Sequence, residues 1–264
     1  MWYNQDMKYP NLEKLVDIIA VLRSENGCPW DREQTHKSLR PNMLEEAYEA
    51  VDAIDDGDVA NLREELGDVL LQVVLHAQIA KDNNEFDIED VAKELSEKLI
   101  HRHPHVFGND KVSSSDDVLD KWDKLKKEEK KYRKSVLDGI SKSQSALMSA
   151  QKISKKVVKV GFEWDSVESL KECIKSEYKE FEDAATTGNH ESMEDEMGDI
   201  LFATVNLARW YKIDAEQALL SANKKFTRRF LKMEEMKTKP FEEYSYEEFN
   251  ELWKQAKIEL SKQN

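Results

Sequence analysis

Apolar residues recur along this chain at the three- and four-residue spacing of amphipathic helices. Such runs begin near Leu12 and Leu44 and continue to the C-terminus, and no stretch alternates convincingly with the two-residue period of a strand. The pattern predicts an all-α protein of roughly ten helices with short connections. Neighbouring helices are therefore expected to run antiparallel.

Residues that begin and end helices fit this pattern. Side chains that cap helix N-termini precede several apolar runs, at Asp58, Asp87, Asp214 and Ser245. Residues that end helices follow other runs, at Gly57, Pro104 and Gly188. The two glycines therefore predict turns between pairs of antiparallel helices.

The two halves of the chain resemble each other. The matching segments are GCPWD (27–31) with GFEWD (161–165), EELGD (64–68) with DEMGD (195–199), KLIHR (98–102) with KFTRR (225–229), and Trp122/Lys126 with Trp253/Lys257. Their offset stays between 127 and 134 residues. A nearly constant offset indicates two copies of one unit. We therefore predict two helical domains, residues 1–134 and 135–264, with the seam in the polar segment 135–146.

Four acidic residues stand at matching heights on the helices that flank Gly57. Glu49 lies eight residues before this glycine, and Glu65 lies eight after it. At about 1.5 Å per residue, both are roughly 12 Å from the turn. Glu46 and Asp68 follow one helical turn further along. The spacing predicts that these four carboxylates converge.

The second half repeats the same count around Gly188. Glu180 lies eight residues before it and Glu196 lies eight after it, with Glu177 and Asp199 one turn beyond. A second set of four converging carboxylates is therefore predicted.

The helices at 64–80 and 195–208 are apolar on almost every side, which predicts that they are buried. Removing carboxylates from water costs several kcal/mol each, so we expect a cation beside them. Gly67 and Gly198 suggest close approach of a ligand or partner, because glycine inside a helix costs roughly 0.5–1 kcal/mol. All-oxygen ligands suit Mg²⁺ or Mn²⁺, and two such ions can bridge phosphates and activate water. The carboxylates predict chemistry on a phosphate ester or anhydride.

Basic and aromatic residues on later helices are candidate substrate ligands. Arginine binds phosphate oxygens through its fork of donors, and an indole face can stack on a nucleobase. The candidates are Lys225, Arg228, Arg229, Trp253 and Lys257 in the second half, and Arg102, Trp122 and Lys126 in the first. The alternative is that the tryptophans belong to the core and the basic residues are solvated. Neither a GxxxxGK[ST] loop nor a GxGxxG loop is present.

The overall charge narrows the possible partners. The chain has 54 acidic and 40 basic residues and a formal charge of −14, which argues against binding a nucleic acid backbone. Its N-terminus lacks a signal-peptide pattern, and no run is long and apolar enough for a membrane span. A cytoplasmic protein without a membrane partner is expected.

Cys28 and Cys173 suggest neither a disulfide framework nor a zinc site.

These motifs resemble the MazG family of nucleoside triphosphate pyrophosphohydrolases. The family motif, Glu-Glu-x-x-Glu followed by Glu-x-x-Asp, appears as Glu45, Glu46 and Glu49 with Glu65 and Asp68. The second copy departs from it, because Ser176 replaces the first glutamate. CPWDREQTH, HRHPHVF, GDILFATVNLARW and NKKFTRRF also resemble the tandem two-domain members, so the similarity spans nearly the whole chain.

The resemblance implies four-helix catalytic bundles completed by dimerisation, Mg²⁺ dependence, and hydrolysis of a nucleoside triphosphate to monophosphate and diphosphate. By position, Glu177, Glu180, Glu196 and Asp199 would be the catalytic metal ligands, with Glu46, Glu49, Glu65 and Asp68 at matching positions in the first domain. Lys225, Arg228 and Arg229 would hold the triphosphate, with Trp253 near the base. Broad action on NTPs and dNTPs for nucleotide-pool control, and a link to a toxin–antitoxin system, follow from the resemblance alone.

The first domain has the poorer basic run, His101 and Arg102 followed by His103 and Pro104, so the second is predicted to be the main active site. Two other classes of protein stay open. A di-iron carboxylate bundle needs Glu-x-x-His on two helices, and only Glu33 with His36 fits. A helical scaffold or regulatory protein without catalytic activity would fold and function independently of metal.

Overall fold

The structure is a computed structural model that describes residues 9–129, 132 and 134–262. These residues form α-helices and one short 3-10 helix, and no strand occurs among them, which confirms the all-α prediction. The chain divides into two compact units between residues 131 and 132. In the described part of the chain, no helix combines the length and apolar character needed to cross a bilayer.

Each unit contains one long helical hairpin. The helices of the first unit are α1 (Pro10–Arg23), α2 (Pro29–Glu33), α3 (Arg40–Asp56), α4 (Val59–Asp82), α5 (Ile88–Arg102), α6 (Pro104–Phe107) and α7 (Ser115–Glu129). Those of the second unit are α8 (Ala146–Val158), α9 (Val167–Thr187), α10 (His190–Trp210), α11 (Ala215–Met236) and α12 (Tyr246–Ser261), with the 3-10 helix Phe241–Glu243 before α12. The most extensive helix pairings are α3 with α4 in the first unit and α9 with α10 in the second.

The turns of both hairpins have the predicted geometry. Gly57 and Gly188 each have a φ of 68°, the left-handed conformation that glycine adopts at no steric cost. After the first turn, the Asp58 side chain accepts hydrogen bonds from the backbone N–H groups of Ala60 and Asn61. The predicted N-caps at Asp87, Asp214 and Ser245 are also present.

The prediction that the carboxylate-bearing helices are buried is wrong for part of each helix. The core cluster of the first unit consists of Ile19, Leu39, Val74, Leu75 and Ile79. Its α4 members all lie in the second half of that helix, whereas Leu66 in the first half is 54% exposed. In α10, Leu201 is 53% exposed. An apolar sequence indicates that a helix face can be buried. Within one chain, however, that face is buried only where another element packs against it.

Candidate active site

The first hairpin brings three glutamates together. Glu46 and Glu49 lie one turn apart on α3, and Glu65 lies on α4. One carboxylate oxygen from each lies within 4.8 Å of the other two. This proximity agrees with the equal distances of Glu49 and Glu65 from the turn at Gly57. Asp68, the fourth predicted member, does not join the three at this distance.

Crowding of negative charge changes the acidity of this first cluster. Partial burial, and then the neighbouring charges of Asp68 and Glu49, raise the pKa of Glu46. Partial burial, and then the charge and a hydrogen bond of Glu49, raise the pKa of Glu65. A raised carboxyl pKa means that the ionised form is less favourable than in water. The cluster is therefore short of positive charge.

The second hairpin forms an equivalent cluster from different members. Glu177 of α9 and Glu196 and Asp199 of α10 each place one oxygen within 4.8 Å of the others. Here Glu180, rather than the aspartate, does not join the three. The Ser176 hydroxyl donates a hydrogen bond to Glu180 Oε1 at 3.1 Å. Thus the residue that departs from the family motif contacts one of the predicted ligands.

The second cluster has the same electrostatic character. Partial burial, and then Glu180 and Glu177, raise the pKa of Glu196. The Cys173 thiol donates a hydrogen bond to Glu177 Oε1 at 3.5 Å, and partial burial followed by Glu177 raises the pKa of this thiol. The sequence analysis considered only a disulfide or a zinc site for Cys173 and did not predict this contact. Its position four residues before Glu177 on one helix face was the available signal.

The donor atoms of both clusters fit a hard divalent cation. Mg²⁺ binds oxygen at about 2.0–2.1 Å in an octahedron, so its ligand oxygens lie roughly 3–4 Å apart. Oxygens within 4.8 Å of one another need only small side-chain rotations to reach that spacing. A Cβ built at Gly67 or Gly198 would meet no atom within 4 Å. The close approach expected at these glycines is therefore not made by the described part of this chain, and the space at each glycine is open.

The predicted substrate residues of the second unit lie on its last two helices. Lys225, Arg228 and Arg229 are on α11, and Trp253 and Lys257 are on α12. The Arg229 guanidinium lies 5.6 Å from the centre of the half-buried Trp253 ring, within the range of a cation–π contact. Within the described residues, Lys225, Arg228 and Lys257 make no ion pair. The structure thus joins α11 and α12 through Arg229 and leaves three cations available to an anion.

The matching arginine of the first unit is held by a carboxylate. Arg102, in the last turn of α5, donates from Nε to Glu129 Oε1 at 3.1 Å and from Nη2 to Glu129 Oε2. His101 Nδ1 lies 3.2 Å from the same Oε1. Glu129 is the last residue of α7. The sequence prediction of Arg102 as a phosphate ligand did not include this partner.

Trp122 of α7 is packed against neighbouring side chains. Its ring meets His103 edge-on with a centroid distance of 4.9 Å. The indole Nε1 is buried and has no hydrogen-bond partner among the described residues. Lys126 lies one turn further along and is exposed. A role for Trp122 and Lys126 in nucleotide binding stays a prediction.

The di-iron alternative lacks its helical motif in this structure. Glu33 ends α2, and His36 lies beyond the helix. Instead, His36 Nδ1 and His76 Nδ1 are 2.7 Å apart and their rings stack with centroids at 5.0 Å. One nitrogen must donate to the other, so the pair shares a proton. This contact between residues 40 positions apart was not visible in the sequence.

Comparisons with known proteins match one domain family to both units of the chain. The model of the MazG nucleotide pyrophosphohydrolase domain matches residues 34–107 and 165–232, and each match contains one carboxylate cluster. The "Nucleoside triphosphate pyrophosphohydrolase/pyrophosphatase MazG" of Thermotoga maritima is 45% identical over 249 residues, which cover 93% of this chain and 95% of that protein. The "Nucleoside triphosphate pyrophosphohydrolase" of Escherichia coli K12 is 43% identical over 254 residues, with 93% and 97% covered. A crystal structure of a mazG-related protein from Thermotoga maritima matches 44% of this chain and 98% of its own, at 33% identity and a TM-score of 0.38.

Proposed function

This chain belongs to the MazG family of nucleotide pyrophosphohydrolases, and from this premise we propose that it hydrolyses nucleoside triphosphates to monophosphates and diphosphate with Mg²⁺. The observation that carries the proposal is the three-carboxylate cluster, which occurs once in each matched segment. Mn²⁺ is an expected substitute, because it accepts the same oxygen ligands.

The carboxylates of each hairpin would hold the cation. These are Glu177, Glu180, Glu196 and Asp199 in the second unit, and Glu46, Glu49, Glu65 and Asp68 in the first. When bound, the cation neutralises phosphate oxygens and acts as a Lewis acid toward the triphosphate. Burial and neighbouring carboxylates raise the pKa of Glu65 and Glu196, and a bound cation would favour their ionised forms.

The cations of the second unit bind the polyphosphate in this proposal. Lys225, Arg228 and Arg229 lie on one helix and offset the charge that develops on the diphosphate leaving group. Trp253 lies beside Arg229 and offers a ring face to the base, while Lys257 adds charge one turn along α12. These residues contact phosphate and a ring face, which all nucleoside triphosphates share. We therefore propose a broad range of NTP and dNTP substrates and a role in nucleotide-pool control.

The second unit is proposed as the main active site. Its arginine contacts an aromatic ring, whereas Arg102 of the first unit already binds the carboxylate of Glu129. A phosphate can replace a cation–π contact more easily than it can replace a charged oxygen ligand, because only the carboxylate competes for the same donors.

We also propose that the protein is a homodimer. Each hairpin supplies two helices, and a four-helix bundle requires two more. The hairpin helices expose apolar side chains, among them Leu66 (54%), Leu70 (37%), Leu201 (53%) and Phe202 (37%). Light scattering should give twice the chain mass of 30.8 kDa. A single-chain mass at micromolar concentration would contradict the dimer.

Product analysis tests the proposed reaction directly. The purified protein is incubated with each of several NTPs and dNTPs and Mg²⁺, and the products are separated by ion-exchange chromatography. We expect monophosphate and diphosphate, and no product when EDTA is present. A nucleoside diphosphate with inorganic phosphate would mean that the anhydride bond between the β- and γ-phosphates is cleaved instead. Absence of product with both Mg²⁺ and Mn²⁺ would favour a scaffold or regulatory protein.

A further inference from the structure

We propose that Glu129 sets the anion affinity of the first unit, because it occupies the donors of Arg102 that a substrate phosphate would need. Glu129 is thus an affinity-determining residue that acts by competition. The inference rests on the proposed function, since it assumes that Arg102 and Arg229 are matching phosphate ligands.

The contact between Arg102 and Glu129 uses the geometry that arginine offers to phosphate. Two guanidinium nitrogens face the two oxygens of one carboxylate, as they would face two oxygens of a phosphate. His101 adds a third contact to the same carboxylate. The side chains of Arg102 and Glu129 are 17% and 24% exposed. Glu129 occupies the Nε–Nη2 edge of Arg102, so a phosphate can bind that edge only by displacing Glu129.

The second unit has no carboxylate in the matching place. Glu129 lies three residues after Lys126, and the residue three after Lys257 is Leu260. Leu260 cannot pair with a guanidinium, and Arg229 instead lies over Trp253. The repeated sequence therefore carries a charge difference at the position of Glu129.

Glu129 competes at every pH at which the enzyme would work. The hydrogen bond from Arg102, and then the charge of Arg102 and the contact with His101, lower the pKa of Glu129 to about 2. Its carboxylate therefore stays ionised through the neutral range. Only a competing anion, a substitution or high salt would separate it from Arg102.

The test compares two neighbouring glutamates of α7 in the full-length chain. A parent variant carries Lys225→Ala, Arg228→Ala and Arg229→Ala, which removes the proposed anion ligands of the second unit. Glu129→Gln and Glu128→Gln are added separately, so that each removes one negative charge from the same helix end. Binding of α,β-methylene-ATP with Mg²⁺ is measured by calorimetry. We expect Glu129→Gln to bind about 3–10-fold more tightly than the parent, and Glu128→Gln to match the parent within about twofold.

A double substitution separates release of Arg102 from a general charge effect. Addition of Arg102→Ala should abolish the gain from Glu129→Gln. The proposal is wrong if Glu129→Gln binds no more tightly than Glu128→Gln, or if the gain survives Arg102→Ala. Should Glu129→Gln lose its helical circular dichroism, Glu129→Leu replaces it, because leucine occupies the matching position of the second unit. The unsubstituted chain is measured in parallel. If it neither binds the analogue nor hydrolyses NTPs, the proposed function itself has failed.

Discussion

The two units carry similar carboxylate clusters but differ around the arginine that follows each cluster. Glu129 binds Arg102 through both oxygens, whereas Arg229 lies over the ring of Trp253. The geometry of the carboxylates depends on a hairpin that both copies retain. The arginine of each unit contacts a later helix, through Glu129 in the first unit and Trp253 in the second. Duplication of a carboxylate cluster therefore does not by itself duplicate the surroundings of the arginine.

The most direct test of the difference between the two units replaces one glutamate in each cluster. We expect Glu196→Gln to lower the rate of diphosphate release by about 100-fold or more, because it removes a charged ligand of the catalytic cation. Glu65→Gln should lower the rate by less than about threefold. Helical circular dichroism of both variants should match that of the unsubstituted chain. Equal losses of activity would show that the two units contribute alike, contrary to the proposed assignment.

The arginines provide a second contrast. Arg229→Ala should raise KM about 10-fold or more, since a hydrogen bond to a charged group contributes about 1.5–3 kcal/mol. Arg102→Ala should change KM by less than about twofold, because Arg102 already binds Glu129. Steady-state kinetics with one NTP measures both effects. A larger effect from Arg102→Ala would place the main substrate site in the first unit.

The pH dependence of magnesium stabilisation tests what the units share. A carboxyl whose pKa is raised by folding destabilises the folded state as pH rises through that pKa, and bound Mg²⁺ offsets this loss. Mg²⁺ should therefore raise Tm by several degrees near pH 8 and by less near pH 5. Glu65→Gln and Glu196→Gln should each remove part of the shift. If one variant removes all of it, only one cluster binds Mg²⁺.

The glycines give the smallest expected effect. An added Cβ at Gly67 or Gly198 meets no atom, and both residues lie inside helices. Alanine at either position should stabilise the metal-free chain by about 0.5–1 kcal/mol. Thermal unfolding without metal would measure this gain. If substrate uses the space, Gly198→Ala should also slow turnover, while Gly67→Ala should not. A loss of stability would instead indicate that a second copy packs against the glycine.

The hairpins and the carboxylate register were predictable because they follow local rules. A glycine in the left-handed conformation sets each turn, and the rise per residue then places residues at equal distances from it. The sequence therefore predicted that Glu46, Glu49 and Glu65 converge, as they do. It did not indicate which acidic residue of each set would stay outside the group of three. In the second set, the excluded Glu180 accepts a hydrogen bond from Ser176.

Burial and long-range pairing were less predictable because they depend on other elements. An all-round apolar sequence predicted a buried α4, but Leu66 and Leu70 in its first half are 54% and 37% exposed. Glu129 pairs with a residue 27 positions away on a different helix. Extending the repeat alignment three residues past Lys126 would have exposed the contrast between Glu129 and Leu260. Even so, only the structure shows that Glu129 contacts Arg102.

The glycine turns also constrain which changes in chain length the clusters tolerate. Seven residues separate Gly57 from Glu49 on one side and from Glu65 on the other. Deleting one residue between Gly57 and Glu65 would rotate that carboxylate by about 100° around α4 and shift it about 1.5 Å along the axis. The same deletion after Asp82 would leave the cluster unchanged, because it lies beyond both glutamates. Insertions and deletions between the turn and the glutamates should therefore separate the clustered carboxylates, and with them the proposed metal site, without removing a single acidic residue.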